Sequence, residues 1–212
     1  MRGEFLNLIR FAVVIRIWFV SLVACAAIVV FLFLRMDVPT ALHFWNTGRL
    51  LSPLNGAFGA AVILSAELAA ILFMVLARLV RGHISVFGET LVIACLASMC
   101  AYVINDHLLK VFFGVPNPTD VMHGARHSFT LWMGSENSSF PSGHMVLAGA
   151  FAGVFMRLYK ASIWPLSALL LTAAGLLLVG DWHFLSDIIA GAFLGTSAGI
   201  LAGEGWAAHS AR

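Results

Sequence analysis

The sequence predicts an all-α fold, an integral-membrane bundle of six transmembrane helices. The chain has 212 residues, of which 61% are hydrophobic and only 10% are charged, whereas roughly 25% of the residues of a soluble domain are charged. The apolar residues also fall into six runs of about the length that a helix needs to cross a bilayer, roughly 20 residues. A net charge of only +2, with no cluster of Lys and Arg, argues against a nucleic-acid partner.

The six predicted spans follow one another without an internal repeat or a low-complexity linker, so residues 1–212 are predicted to form a single domain. The first span is longer than the apolar part of a signal peptide, and no clear cleavage site follows it. The fourth and fifth are short, and either extend into flanking polar residues or stand nearly upright. The spans are Phe11–Leu34, Ala57–Leu79, Phe87–Leu109, His144–Tyr159, Ile163–Val179 and Ile188–Gly203.

The distribution of positive charge predicts the orientation. With both termini in the cytoplasm, seven basic residues lie inside and four outside, the direction that the positive-inside rule expects. The same topology places the three polar segments described below at the outer, non-cytoplasmic surface. The inner residues are Arg2, Arg10, Arg78, Arg81, Arg157, Lys160 and Arg212, and the outer ones are Arg35, Arg49, Lys110 and Arg126.

Several polar residues lie inside the apolar runs. The three cysteines, Cys25, Cys95 and Cys100, have no regular spacing, and an odd count does not suit a disulfide framework or a zinc site. We expect them to be buried small hydrophobic residues. No metal and no other cofactor is expected, because no carboxylate cluster or His/Cys set stands out. Glu67 lies in the middle of the second span, where an acid is functional, paired with a neighbouring helix, or protonated, and the sequence leaves all three open.

His183 and Asp187 precede the sixth span. If this segment is helical, a spacing of four residues puts both side chains on one face. The carboxylate would then hold one ring nitrogen of the histidine and leave the other as a nucleophile or base. The alternative is an interfacial histidine beside a helix-capping aspartate.

The tetrapeptide Pro141-Ser142-Gly143-His144 opens the fourth span. Ser142 is a good N-cap, and Gly143 allows the backbone to come close to a ligand. The first amides of the span would then face outward, where helix N-termini bind phosphate, and His144 could protonate a leaving oxygen. The alternative is a plain turn into a helix.

Lys110 follows the third span. It is either a counter-charge for phosphate or a lysine whose stem lies along the bilayer while its ammonium reaches the headgroups.

Together these segments resemble the three signature motifs of the type 2 phosphatidic acid phosphatase family, whose superfamily includes the vanadium haloperoxidases. The family patterns are Lys-x6-Arg-Pro, Pro-Ser-Gly-His and Ser-Arg-x5-His-x3-Asp. The chain has Lys110-x6-Asn117-Pro118, then Pro141-Ser142-Gly143-His144, then His183-x3-Asp187, in the same order. The resemblance extends over about residues 110–195. The part of the chain that carries the motifs is predicted to be residues 105–195.

The resemblance implies a role for each residue. His183 would attack phosphorus and form a phosphohistidine, Asp187 would orient it, and His144 would protonate the leaving alcohol and later activate water. The phosphoryl oxygens would be held by Lys110, Ser142, Gly143 and the His144 amide. Such a site suits phosphoryl transfer, which depends mainly on positioning and charge stabilisation.

The chain departs from the family at both motif arginines. Asn117 takes the place of the first, and Leu176-Leu177 replaces the Ser-Arg pair. Asn117 can still form a hydrogen bond to phosphate, whereas leucine cannot. Either another cation replaces the missing clamp, with Arg126 of the outer loop as the best candidate because arginine suits phosphate oxygens, or the substrate carries less charge on phosphorus.

These observations predict a lipid phosphatase of the inner (plasma) membrane. It would act on a phospholipid or polyprenyl (di)phosphate from the periplasmic or extracellular face, with the surrounding membrane lipids as its other partners. The sequence leaves two alternatives open. One is a lipid phosphotransferase resembling the sphingomyelin-synthase group, and the other is a catalytically weak protein that binds a lipid headgroup.

Overall fold

The computed structural model describes residues 2–210, and describes side chains over 14–51 and 59–210. All regular structure in that part is helical. A π-helical turn at Asn105–Leu109 joins α4 to α5, and a short 3-10 turn at Lys160–Ser162 precedes α8. The α-helices are α1 (Arg2–Arg35), α2 (Asp37–Phe58), α3 (Ala60–Arg81), α4 (Val86–Ile104), α5 (Lys110–Phe113), α6 (Pro118–Met122), α7 (Gly143–Leu158), α8 (Ile163–Val179) and α9 (Leu185–Ser210).

The predicted membrane bundle is confirmed. Within the described residues, five helical stretches are long and apolar enough to cross a bilayer, and α7 is a shorter apolar sixth. The predicted bounds of the fifth span coincide with α8, while the sixth extends at both ends to become α9. The protein is therefore an all-helical, multi-pass membrane protein. The part of the first predicted span before residue 14 lies outside the described side chains.

The helix α2 was not predicted as an element. It begins directly after α1 and spans 22 residues, of which 37–56 were left between two predicted spans. Ala57 and Phe58, predicted to open the second span, belong to α2, and α3 begins only at Ala60. Pro39 lies in its first turn, where a missing N–H costs no helical hydrogen bond. As a result, the segment before α3 folds back over the end of the bundle that carries the site, and it brings Asp37 and Arg49 there.

The helices α7 and α9 form the centre of the bundle. They run parallel and touch through glycines spaced four residues apart on α9, which face successive turns of α7. A Cβ at Gly191 would lie 2.5 Å from the carbonyl oxygen of Ser142, and Cβ atoms at Gly195 and Gly199 would collide with the backbone of Val146 and Ala150. Small residues allow this close approach of helix backbones in membranes. The packing fixes the starts of both helices side by side.

The cysteine prediction is only partly correct. Cys95 is buried and Cys25 is half-buried, but Cys100 is exposed on the surface of α4. An apolar run predicts that a residue lies in the membrane, but the packing of neighbouring helices decides whether its side chain faces the bundle or lipid. Glu67 is buried on α3, where it lines an apolar cavity together with Cys95.

Candidate active site

The predicted triad comes together between the starts of α7 and α9. Nδ1 of His144 lies 3.3 Å from Nε2 of His183. On the other side of the same ring, Nδ1 of His183 lies 3.5 Å from Oδ2 of Asp187. The carboxylate therefore faces Nδ1, and Nε2 is the nitrogen directed towards the second histidine. This is the geometry of an oriented imidazole beside a possible proton donor.

Backbone contacts hold the three residues in place. Ser142 caps α7, as the sequence predicted, by accepting a hydrogen bond from the Met145 amide (3.4 Å). The Ser142 amide in turn donates to the carbonyl oxygen of Asp187 (3.1 Å), which ties the two helix starts together. The Phe184 amide donates to Oδ2 of Asp187 (2.9 Å). His183 itself lies in the turn that precedes α9, not within the helix.

The environment keeps His183 neutral. Burial lowers its pKa to about 3, and the nearby Lys110 ammonium also lowers it, while a hydrogen bond with the Ser139 backbone acts in the opposite direction. A histidine with so low a pKa is an uncharged imidazole near pH 7, which is the form that can attack an electrophile. Buried Ser139 was not predicted to belong to the site.

Lys110 lies in the same region with its charge already paired. Its ammonium lies 2.5 Å from the carboxylate of Asp106, and it donates a hydrogen bond to the carbonyl oxygen of Glu136 (3.0 Å). The π-helical turn carries Asp106 and Asn105, and Asn105 donates to the carbonyl oxygen of Pro141 (3.1 Å). Such turns are frequent at functional sites. Asp106 was missed, although its spacing of four residues from Lys110 was a readable signal of an ion pair.

Asn117 has a structural role that its position in the motif did not predict. It is the N-cap of α6, followed by Pro118 at the first helical position. Its Oδ1 accepts from the Asp120 amide (2.9 Å), and its Nδ2 donates to the Asp120 carboxylate (2.8 Å). Its phosphate-binding role stays a prediction, as does that of Arg126, whose side chain is exposed in the loop after α6.

The leucines that replace the Ser-Arg pair line an apolar groove. Leu177 is buried and Leu176 is exposed, and both border a cavity of about 200 Å³ whose lining also includes His144 and Trp182. A second cavity of about 380 Å³ extends past Glu67, and the two share Ile63, Ala148 and Ala173. The two adjacent cavities, together called the apolar groove, lie between α3, α7 and α8, and the smaller one is lined by His144 of the histidine pair.

A polar cleft lies on another side of Trp182. It measures about 600 Å³ and includes Arg49, His123 and Asp181 among its lining residues. Burial raises the pKa of Asp181 to about 6. Gly48 of α2 packs so closely on the preceding turn that an added Cβ would lie 2.6 Å from that of Asp181. Arg49, which the sequence analysis counted only for orientation, is thereby placed beside the turn that carries His183.

The motif geometry agrees with a comparison against protein families. The PAP2 superfamily model matches residues 90–206, more than half of the chain and all three motif segments. The chain belongs to the PAP2 superfamily. Among curated proteins and solved structures, no match is found.

Membership in the PAP2 superfamily supports a phosphatase-type activity on phosphoesters. The matched region begins within α4 and ends within α9, so it contains the paired helix starts and Lys110. It excludes α1, α2 and α3, which supply Asp37, Arg49 and one wall of the apolar groove. Asp37, Arg49 and that wall of the groove therefore lie outside the matched region.

Proposed function

We propose that the protein is an integral-membrane lipid phosphatase that removes a phosphoryl group from a phospholipid or polyprenyl (di)phosphate through a phosphohistidine. The observation that carries the proposal is the line of His144, His183 and Asp187 at the end of an apolar groove. A groove bordered almost wholly by aliphatic side chains suits a hydrocarbon chain. Its end at His144 would bring the phosphate of such a lipid to the reacting nitrogen.

The proposed reaction has two steps. The lone pair on Nε2 of His183 attacks phosphorus while the bond from phosphorus to the alcohol oxygen breaks, and His144 donates a proton to that oxygen. Asp187 stabilises the positive charge that develops on the His183 ring through its contact with Nδ1. Water then attacks phosphorus and gives its proton to His144, the P–N bond breaks, and inorganic phosphate leaves.

The net charge of the site bears on whether the substrate is a phosphomonoester or a phosphodiester. Because Asp106 already neutralises Lys110, the pair adds little net positive charge to the site. A phosphomonoester dianion would need a further cation, since an uncompensated charge in a partly desolvated site is costly. Arg126 in the loop and Arg49 in the polar cleft are the two candidates.

The same pairing favours a second candidate function. A phosphodiester carries one negative charge and needs fewer cations, so the protein would then transfer a phosphorylated headgroup between lipids. This is the activity class of the phosphotransferase alternative. The Pro141-Ser142-Gly143-His144 sequence has the form of the phosphatases and keeps hydrolysis the first proposal. The non-cytoplasmic location of the site is part of the proposal and rests on the charge distribution.

The experiment is turnover of labelled lipids by the purified protein in detergent or nanodiscs. Lipid monophosphates, a polyprenyl diphosphate and lipid phosphodiesters are compared, with His183→Ala as the matched control. We expect phosphate release from a monoester or diphosphate by the parent protein and none by His183→Ala. Turnover of diesters alone would favour the phosphotransferase. No turnover of any of them would favour a lipid-binding protein without activity.

The two candidate cations are tested with the same substrates. Arg49→Ala and Arg126→Ala are compared, and the one that supplies the clamp should lose about 2–4 kcal/mol of transition-state stabilisation, by analogy with the loss of one oxyanion donor. The other variant should stay close to the parent protein. Equal, small effects in both would indicate a singly charged substrate.

A further inference from the structure

A second buried cluster lies behind the histidine pair, centred on Asp37. This residue opens α2, and only 1% of its surface is exposed. Its Oδ1 accepts a hydrogen bond from the Ser186 amide (3.0 Å), and its Oδ2 accepts one from the Ser186 hydroxyl (2.5 Å). Ser186 is the second residue of α9, where backbone amides have no acceptor within the helix. Asp37 therefore caps α9 from a different helix.

His127 completes the cluster. Its Nε2 lies 3.5 Å from Oδ2 of Asp37. Its ring stacks on Phe33 of α1 with a centroid distance of 4.1 Å, and it packs against Phe184 at 4.4 Å. Phe184 is itself almost completely buried. The Asp37 carboxylate therefore contacts Ser186 and His127. The His127 ring in turn packs between Phe33 and Phe184, so these contacts hold the turn that precedes α9.

The cluster is one residue away from the reacting groups. Asp187 follows Ser186, and its Oδ2 receives the Phe184 amide while facing Nδ1 of His183. We propose that Asp37 is a positioning residue, which fixes the start of α9 through Ser186 and so holds the Asp187 carboxylate against His183. The proposal rests on the proposed function for its catalytic consequence. It places part of the machinery outside the region that matches the family.

A positioning residue of this kind affects chemistry more than substrate binding. The Asp37 carboxylate is bound to Ser186 and lies beside His127, and Asp37 is absent from the lining of both the apolar groove and the polar cleft. Misplacement of a catalytic group by about 1 Å can cost about 100-fold in rate. We therefore expect Asp37→Ala to lower kcat about 100-fold while KM stays within about threefold of the parent value.

Asp37→Asn is the conservative variant. Its amide oxygen can still accept from the Ser186 amide, but an NH2 group replaces the oxygen that faces the Ser186 hydroxyl and His127. We expect kcat to recover to within about tenfold of the parent protein, because one of the two hydrogen bonds is kept. Thr90→Val is the matched control. It removes a buried hydroxyl that lies near Tyr159, at the opposite end of α7, and should leave kcat unchanged.

Amide hydrogen exchange in the full-length protein provides a readout that does not depend on turnover. In Asp37→Ala the segment 184–188 should exchange faster than in the parent protein, and in Thr90→Val it should not. Unchanged exchange in Asp37→Ala would overturn the proposal, and so would faster exchange with an unchanged kcat. If the parent protein turns over no lipid phosphate, the proposed function fails, and the exchange result alone decides whether Asp37 holds the turn.

Discussion

At the scale of single residues, the site depends on a histidine that is kept uncharged. His183 lies between a carboxylate on one side and His144 on the other, and burial holds its pKa near 3. A neutral imidazole can attack phosphorus without first losing a proton. In the proposed reaction, the Asp187 carboxylate would stabilise the positive charge that develops on the ring.

The first prediction concerns the division of labour in the triad. His183→Ala should remove all turnover, because it deletes the attacking nitrogen. Asp187→Asn should leave a weak remnant, since it changes only the tautomer preference and the charge that supports His183. Steady-state release of phosphate measures both variants under identical conditions. Full activity in His183→Ala would refute the phosphohistidine mechanism.

The second prediction concerns His144 as the general acid. His144→Ala should reduce turnover most for substrates with a poor leaving alcohol and least for an activated aryl phosphate, because a good leaving group needs no proton. The ratio of kcat values for the two substrate types is the measurement. An equal loss for both types would show that His144 does not act as the acid.

The third prediction concerns pH and stability. The pKa of His183 falls from 6.5 to about 3 on folding. Between these values the unfolded chain binds a proton at His183 that the native protein does not, so the contribution of His183 to the free energy of unfolding decreases as pH falls from about 6.5 towards 3. His183→Gln removes this titration, so lowering the pH from 7 to 5 should destabilise the variant less than it destabilises the parent protein. Thermal unfolding of both proteins in detergent at pH 7 and pH 5 measures this difference. An equal change in stability for the parent protein and the variant would contradict the prediction.

At the scale of elements, the parallel contact of α7 and α9 places the two histidines. The glycines of α9 bring the helix backbones together, and the hydrogen bond from the Ser142 amide to Asp187 joins their starts. A small change in the separation of the two helices would therefore alter the distance between His144 and His183. Stability and activity should respond together to substitutions at this contact.

The fourth prediction tests that coupling. In Gly195→Val the new side chain would collide with the backbone of Val146, and we expect a loss of about 1–3 kcal/mol in stability from overpacking together with a large fall in turnover. Gly175→Ala is the control, because nothing lies within 4 Å of a Cβ at that position of α8. Unfolding in detergent and phosphate release are measured on both. A stable, fully active Gly195→Val would contradict the role of the contact.

At the scale of the whole molecule, the site lies at one end of the bundle and the apolar groove runs from it along the helices. This arrangement would let a lipid keep its chain between α3, α7 and α8 while its phosphate meets the histidines. The distribution of basic residues predicts that this end faces away from the cytoplasm.

The fifth prediction tests the orientation. Arg126→Cys and Arg81→Cys are made in a background without Cys25, Cys95 and Cys100, because Cys100 is exposed. A membrane-impermeant thiol reagent added to intact cells should label the first variant and leave the second unlabelled. Labelling of both only after the membrane is opened would overturn the predicted topology.

Much of the architecture was predictable because the bilayer imposes it. A membrane span needs about 20 apolar residues whatever its neighbours are, so composition and run length predicted the all-helical bundle and the bounds of α8. The local sequence also predicted the cap at Ser142, because that interaction joins residues three apart. The ion pair of Lys110 with Asp106 is also local, since the two residues are four positions apart, but it was not predicted.

Only the tertiary structure decided which distant residues meet. Asp37 and Ser186 are 149 positions apart, and neither Arg49 nor the apolar groove had a signal in the spacing of the motifs. Such contacts depend on how α2 folds over the bundle and how closely α7 and α9 approach. Hydrophobic periodicity and motif spacing describe one segment at a time, whereas the packing that surrounds His183 is a property of several helices at once. The sequence by itself therefore determined the class of protein and predicted which groups react, and the packing of the helices determined what surrounds those groups and holds them in place.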